Sequence, residues 1–450
     1  MTDTIFALSS GAGRAGVAVF RRSGPRAGAA LLVVTRRDRL PAPRRAVRIS
    51  LWPPDGGAAI DHGLALWFPE PASFTGEDVA ELHLHGGRAV IAAALAALGA
   101  VAGLRLAEPG EFTRRAFARG KLDLTAVEGM ADLVAAETEA QRVQALRQMD
   151  GALARLYDGW RERLLRALAY LEAEIDFSDQ DLDDEATAGV RSDVAALQQE
   201  IAGHLADRHR GERLREGLSI VILGPPNVGK SSVLNALTKR DVAIVSALAG
   251  TTRDSVETHL DLDGLPVTIA DTAGLREAAD VIESEGIRRA LARAEGADLK
   301  LVVTAATDWP ALAPETVALL DSDALLVVNK CDLRRDAAAI PSRGDAISRC
   351  RAVHWVSATT GEGLADLVAA LAAAAAERLQ PGGAPALTRA RHREALLACG
   401  DGLARFLDQP AAELAAEDLR LAARALGRIT GRVDVEDLLD VIFRDFCIGK

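Results

Sequence analysis

The stretch Leu218-Ser219-Ile220-Val221-Ile222-Leu223-Gly224-Pro225-Pro226-Asn227-Val228-Gly229-Lys230-Ser231-Ser232 decides the fold class of this 450-residue chain. A run of apolar, largely β-branched residues reads as a strand buried on both faces. It ends at a glycine, and residues with helical spacing follow Ser232. Strand, GxxxxGK[ST] and helix in that order form a phosphate-binding loop. The glycines let the backbone curl so that the N–H groups of residues from Asn227 through Val228 and Gly229 to Ser232 wrap phosphates. The helix N-terminus adds fixed positive potential. Lys230 then reaches the β- and γ-phosphates, and Ser231 ligates Mg²⁺.

Four further elements follow, and their order selects the base. Strand Val267-Thr268-Ile269-Ala270 ends in Asp271-Thr272-Ala273-Gly274, which puts an acid near the Mg²⁺ shell and an N–H near the γ-phosphate. Gly250-Thr251-Thr252-Arg253-Asp254 supplies a threonine for Mg²⁺, taken as Thr252. A third strand ends in Asn329-Lys330-Cys331-Asp332. A carboxylate at Asp332 accepts both N–H donors on the edge of guanine, which adenine lacks, so the wrong base leaves it unpaired. The Lys330 stem lies along the base, and Ser357-Ala358-Thr359 offers backbone to the guanine carbonyl. Cys331 has no expected redox role. These elements resemble the Ras-like GTPase superfamily, specifically its translation-factor-related branch. Leu275 stands where Ras-type enzymes carry a water-orienting glutamine, and no arginine finger is evident, a device worth about 10³–10⁵-fold. Asn227 in the phosphate loop, followed by Ser246-Ala247-Leu248-Ala249-Gly250-Thr251-Thr252, resembles the potassium-activated GTPases. That resemblance implies K⁺ ligands at Asn227, Ser246, Leu248 (through its carbonyl) and Thr251. The alternative role for Asn227 is to stabilise the turn.

The length suggests about three domains. With 49% hydrophobic and 26% charged residues, a net charge of −11 and no apolar run of membrane-spanning length, the chain reads as a soluble protein with no membrane role. Its start lacks a signal peptide, so a cytoplasmic location is expected. Four dispersed cysteines argue against a disulfide framework or a zinc site. Only six of the 53 basic residues are lysines (Lys121, Lys230, Lys239, Lys300, Lys330 and Lys450), and asparagine occurs only at positions 227, 235 and 329. In a chain so rich in arginine, the retained lysines and asparagines mark positions to inspect first. The first fifty residues hold ten arginines against Asp3 and Asp38. This is either a solvated surface or a patch facing an anion such as RNA. The acidic run from Asp176 to Glu185 reads as a solvated inter-helix loop.

The expected fold class is multidomain α/β and α. Residues 1–118 form an N-terminal α/β domain, with strands at GVAVF, HGLALWF and VAELHLHGG and a helix near Val90–Leu98. Residues 119–215 are the first part of a discontinuous helical domain. Residues 216–377 form an inserted Ras-like, doubly wound domain. Residues 378–450 complete the helical domain.

Outside the nucleotide motifs stand Ser73-Phe74-Thr75-Gly76-Glu77-Asp78-Val79-Ala80-Glu81 with LHLHGG, then PGEFTRRAF and GKLDLTAVE (Pro109 to Glu128), and the terminal Phe446-Cys447-Ile448-Gly449-Lys450. Together with the inserted nucleotide domain, these strings resemble the MnmE (TrmE) family of tRNA modification GTPases along essentially the whole chain. The resemblance implies a folate-binding-like, homodimeric N-terminal domain that takes 5-formyl- or methylene-tetrahydrofolate. Its contacts would be Arg21, Glu81, Lys121 and Lys450. The start GAGRAGVAVFR departs from the family's commoner PPGRGGVG. The resemblance also implies a flavoprotein partner, MnmG, in a heterotetramer, carrying FAD and using NADH. The product would be a carboxymethylaminomethyl or aminomethyl group on C5 of the wobble uridine of certain tRNAs, with tRNA held mostly through the partner. Matching to the family points to Glu283 as the acid orienting the hydrolytic water. From sequence alone Glu277, Asp280 and Glu285 compete with it. Cys447 is either a thiolate nucleophile or part of a tail packed toward the folate site. His83 and His85 share a strand face and read as structural. The alternative function is a ribosome-assembly GTPase without modification chemistry, which has no use for the folate-type domain or the FCIGK tail.

Overall fold

The computed structural model describes residues 3–11, 13–176, 184–239, 257–271, 296–310, 312–333, 347–379 and 385–433, with residues 439, 442, 443, 446 and 449. They divide into two compact units. One comprises Met1–Ala131, Gln148–Gln180 and Pro410–Lys450, and the other Asp132–Arg147 and Asp181–Gln409.

The first unit begins with β1 (Thr4–Leu8), β2 (Ala15–Ser23), α1 (Ala27–Thr35), β3 (Val47–Leu51), β4 (Asp61–Phe68), β5 (Val79–Gly86), α2 (Arg88–Gly99), β6 (Leu104–Leu106) and α3 (Glu111–Ala118). The strands form one sheet in the order β3-β4-β5-β2-β1-β6, antiparallel except for the β1–β6 pair. Helices α1 and α2 cover one face, where Phe6, Phe20, Leu31, Leu82 and Leu98 are buried together. The four segments expected from sequence fall in β2, β4, β5 and α2. Strands β1, β3 and β6 are at most five residues long and carry little pattern of their own.

The chain continues through α4 (Leu124–Ala135), α5 (Glu139–Met149), α6 (Ala152–Asp176), α7 (Asp184–Leu205) and α8 (Arg210–Glu216). Residues 177–183 of the acidic run lie outside the described residues. The second sheet is built from β7 (Leu218–Leu223), followed by α9 (Lys230–Thr238), β8 (Glu257–Leu262), β9 (Leu265–Asp271), β10 (Leu299–Ala305), α10 (Pro314–Ala318), β11 (Ala324–Asn329) and β12 (Ala352–Trp355). Its order is β12-β11-β10-β7-β9-β8, and only the β8–β9 hairpin is antiparallel. Both faces are apolar, as the unbroken hydrophobic runs require. Ile220, Ile222, Val303 and Val327 pack on one side with α8, α9 and α11 (Leu364–Leu379). Val302, Leu326 and Val328 pack on the other with Trp309 and Leu320. The last long helices are α12 (Ala390–Asp408), which packs on α7, and α13 (Ala412–Thr430), which packs on α6. In α6 the buried residues Leu153, Tyr157, Trp160, Leu164, Leu168 and Leu171 recur three and four apart, the stripe that a long amphipathic helix turns to its partner.

Strand β2 carries an anomaly. Successive strand residues face opposite sides of a sheet, so the Arg21-Arg22 pair cannot share one. Arg21 lies on the open face, and Arg22 is forced to the side of Phe20, where it is fully buried. None of its three guanidinium nitrogens has a hydrogen-bond partner. Burial alone pushes its pKa down to about 9. At neutral pH the group is charged in both folded and unfolded chains, so it costs stability, and the cost recedes only as pH rises above the depressed value. Arg22→Met keeps the volume and removes the charge. It is expected to stabilise this unit by about 1–4 kcal/mol, read as a higher urea midpoint at pH 7.5. A lower midpoint would refute the account.

Candidate functional site

The parallel strands β7, β9, β10, β11 and β12 all end at one edge of the second sheet. The chain runs from β7 through β8 to β9 on one side, then crosses to β10 on the other. Ligands of doubly wound sheets bind in the crevice at such a reversal. β9 ends there at Asp271, and the segments following β7, β11 and β12 bring there Gly224–Ser232, Asn329–Asp332 and Ser357–Thr359.

Backbone geometry explains the glycines. Gly224 has φ +137°, and a Cβ on it would lie 2.1 Å from the Val303 carbonyl oxygen. Gly229 has φ +95°, and a Cβ there would lie 2.4 Å from Asn329 Nδ2. Asn227 adopts φ 63°, a left-handed conformation that asparagine tolerates better than most residues. Its carbonyl accepts a hydrogen bond from Lys330 Nζ at 2.7 Å. Lys230 Nζ donates to the Gly224 and Pro225 carbonyls, both at 2.8 Å, so the lysine lies folded across the loop whose N–H groups would hold phosphates.

Asn329 joins the two halves of the site. It is buried, donates from Nδ2 to the Val228 carbonyl at 2.9 Å, and accepts the Ala358 N–H on Oδ1 at 3.1 Å. The phosphate loop and the base-binding loop are thereby tied to one side chain. The Ser357 turn is held by its own N–H to the Glu362 carbonyl (3.0 Å) and by Ser357 Oγ accepting the Thr360 N–H (3.1 Å). Asp332 is exposed in a short 3₁₀ turn directly after β11, available to a base edge. Burial and the neighbouring Glu362 carboxylate push the Cys331 thiol up, away from thiolate chemistry.

The structure brings together Asn227, Val228, Gly229, Lys230, Ser231, Ser232, Asn329, Lys330, Cys331, Asp332, Ser357, Ala358 and Thr359. Asp271 ends β9, in register with Ile222 of β7. Ser246, Ala247, Leu248, Ala249, Gly250, Thr251, Thr252, Thr272, Ala273, Gly274, Glu283, Cys447 and Lys450 lie outside the described residues.

The first unit has a second candidate site on the sheet face opposite α1 and α2. A pocket of about 520 Å³ is lined by residues including Arg44, Phe68, Phe74, Glu81 and Lys121. Glu81, one of the lining residues, accepts a hydrogen bond on Oε1 from Arg21 Nε at 3.0 Å. The Arg21 guanidinium stacks 5.3 Å from the Phe74 ring centre and 5.9 Å from that of Phe112. His83 approaches the other Glu81 oxygen at 3.4 Å, and His85 hydrogen-bonds Asp61 at 2.8 Å. An acceptor on the floor, aromatic walls and cationic rim residues suit a flat ring with a donor edge and an anionic end.

Much of the surrounding signature holds the pocket in place. Glu77 and Arg115 are both buried. Arg115 donates to Glu77 (3.1 Å), Glu111 (2.9 Å) and Asp3 (2.9 Å), and Ser23 Oγ donates to Glu77 (2.8 Å). Desolvation acts to raise Glu111, but hydrogen bonds from Arg105 and Arg115 outweigh it and hold the carboxyl below its usual range. The SFTGED and PGEFTRRAF strings therefore act largely through this ion network. The sequence reading missed Arg44 and Phe68, which are far in sequence from any motif. Of the early arginines, Arg36 stacks 4.4 Å from the Trp52 ring centre, while Arg39, Arg45 and Arg48 are exposed.

A parallel sheet with a phosphate loop after its first strand and an asparagine-braced base loop defines a P-loop GTP hydrolase. Family models match nearly the whole chain: "GTP-binding protein TrmE N-terminus" covers residues 4–121 and "MnmE helical domain" residues 124–447. The chain is 59% identical over 454 residues to the tRNA modification GTPase MnmE of Parvibaculum lavamentivorans, covering 100% of both chains. It is 57% identical to that of Paramagnetospirillum magneticum, again over 100% of both. With that of Rhodospirillum rubrum it shares 55% identity over 100% of this chain and 99% of the relative. The chain belongs to the MnmE family of tRNA modification GTPases. No helix among the described residues is long and apolar enough to cross a membrane.

Proposed function

We propose that the protein is a potassium-activated GTPase that works with the flavoprotein MnmG to place a carboxymethylaminomethyl or aminomethyl group on C5 of the wobble uridine of certain tRNAs. The observation that carries this reading is 59% identity, over the full length of both chains, to a tRNA modification GTPase MnmE. The buried Asn329 bridge supports the GTP part of it. Residues 1–118 are taken as the folate-binding and dimerising domain, 119–215 and 378–450 as the helical domain, and 216–377 as the GTPase domain. The family models' separate matches to residues 4–121 and 124–447 support the first of these divisions. The site of action is the cytoplasm. The test is nucleoside analysis of tRNA from cells lacking the protein and complemented with it. Restoration of C5-modified wobble uridine is expected, and unchanged uridines in the deleted strain would overturn the proposal.

In this reading Lys230 and the phosphate loop bind the triphosphate, with Mg²⁺ at Ser231 and Thr252. Asn227 supplies an amide oxygen to K⁺, completed by Ser246, Leu248 and Thr251. Asn227 is exposed at the loop apex, and its own carbonyl is already bonded to Lys330, which supports a ligand role for the side chain. Such a cation stands in for an arginine finger, worth about 10³–10⁵-fold in related enzymes, so turnover is expected to rise about tenfold or more when K⁺ replaces Na⁺ at fixed ionic strength. Equal rates in the two salts would exclude the cation role. Glu283 is the proposed water-orienting acid, and pairing of two GTPase domains couples hydrolysis to the helical domain.

The first-unit pocket fits a tetrahydrofolate. Glu81 offers an acceptor to the aminopyrimidine edge, the phenylalanines flank the rings, and Lys121 is available to carboxylate; Arg21 orients Glu81, and Lys450 is the fourth contact. When bound, the folate supplies the one-carbon unit. MnmG carries FAD and draws on NADH. Cys447 is the proposed nucleophile toward the base. Cys447→Ser is expected to hydrolyse GTP normally yet leave wobble uridine unmodified, as seen by the same nucleoside analysis. Full modification by the serine variant would end that role.

A further inference from the structure

Charge is distributed unevenly around the first-unit pocket. The lining residue Glu81 is neutralised by Arg21 at 3.0 Å. On its rim, Lys121 Nζ donates to the Pro71 carbonyl at 3.1 Å, and the Arg44 guanidinium donates to the next carbonyl, that of Ala72. Arg44 also stacks 5.7 Å from the Phe68 ring centre. Both cations line the pocket, and both are tied to one turn through neutral oxygens. Neither has a carboxylate within ion-pair distance among the described residues. Arg44 is held there by a backbone with φ 61°, a conformation uncommon for a side chain of its size. The loop thus aims a pre-positioned, un-neutralised guanidinium at the mouth of an aromatic-walled pocket.

We infer that Arg44, acting with Lys121, is a carboxylate clamp for the glutamate tail of the folate, so that this pocket selects its one-carbon donor by the tail as well as by the ring. The inference rests on the folate reading given above. A guanidinium presents paired donors in a planar fork that matches a carboxylate. Glu81, already paired with Arg21, offers no cation to the tail and is left to accept N–H groups from the ring edge. Ring and tail are sorted by a neutralised hydrogen-bond acceptor at Glu81 and two un-neutralised cations at Arg44 and Lys121. A tail-less ligand retains the aromatic contacts and loses the charged ones.

The test is calorimetric titration of the full chain with 5-formyltetrahydrofolate and with its tail-less neutral analogue, 5-formyltetrahydropteroyl amide, which has no carboxylate, at fixed ionic strength. The wild type is expected to bind the glutamate-bearing ligand about tenfold or more tightly than the analogue, the scale of one charge-assisted hydrogen bond. Arg44→Gln should cut that preference severalfold by weakening the glutamate ligand alone, with Lys121 holding the remainder, and Arg44→Lys should recover part of it. If Arg44→Gln weakens both ligands equally, the arginine merely positions the loop and the inference falls. Equal wild-type affinity for the two ligands likewise overturns it while leaving the folate reading standing. Failure of the wild type to bind either ligand removes the folate reading, and the clamp with it.

Discussion

Asp332→Asn is expected to exchange the base preference of the enzyme from guanine to xanthine. A carboxylate accepts from both the ring N–H and the exocyclic amino group of guanine. An asparagine amide can accept only one of these and turns a donor toward the other, so guanine meets a donor facing a donor. Xanthine carries an oxygen in place of the amino group and restores both bonds. Sites that read a base by hydrogen bonds reject the mismatched partner by about 10⁴-fold. Asp332 is exposed and ends no structural network among the described residues, so the variant should fold as the wild type does. Competition of GTP and XTP for a fluorescent nucleotide decides the matter. A variant that still prefers GTP would show that Asp332 does not read the base.

Lys230→Ala is expected to lower GTP turnover by about 10³-fold, or about 4 kcal/mol in transition-state stabilisation. The side chain bonds the Gly224 and Pro225 carbonyls at 2.8 Å, so an ammonium already sits at the phosphate loop. Phosphate oxygens outcompete neutral carbonyls for it, and the charge is then beside the bond that breaks. Single-turnover hydrolysis measures the loss, and circular dichroism checks that the fold is retained. Near-normal turnover in a folded variant would place the triphosphate elsewhere.

The nucleotide half of the protein was legible because its chemistry is local. Each motif sits at a strand end, each strand is an unbroken apolar run, and parallel topology then carries the ends to one edge without further information. The first-unit pocket was legible only in part. Arg21, Glu81 and Lys121 came from family resemblance, and the structure places Glu81 and Lys121 on one pocket with Arg21 ion-paired to Glu81. Arg44 was invisible because its role depends on a left-handed backbone and on a turn nearly thirty residues away. The buried network of Glu77, Glu111 and Arg115 was likewise unreadable. Nothing in a sequence distinguishes a charge that meets a ligand from one that braces a loop. Arg22 could have been suspected, since two adjacent arginines inside an apolar strand must put one on the covered face.

Asn329 shows how far substitution can go in a chain so weighted toward arginine. Its position demands polarity in two opposed senses, donating toward Val228 and accepting from Ala358. Aspartate would turn a second negative oxygen on the Val228 carbonyl, serine is too short to span both loops, and arginine has no acceptor at all. A side chain that must donate at one end and accept at the other has almost no chemical substitute at this site.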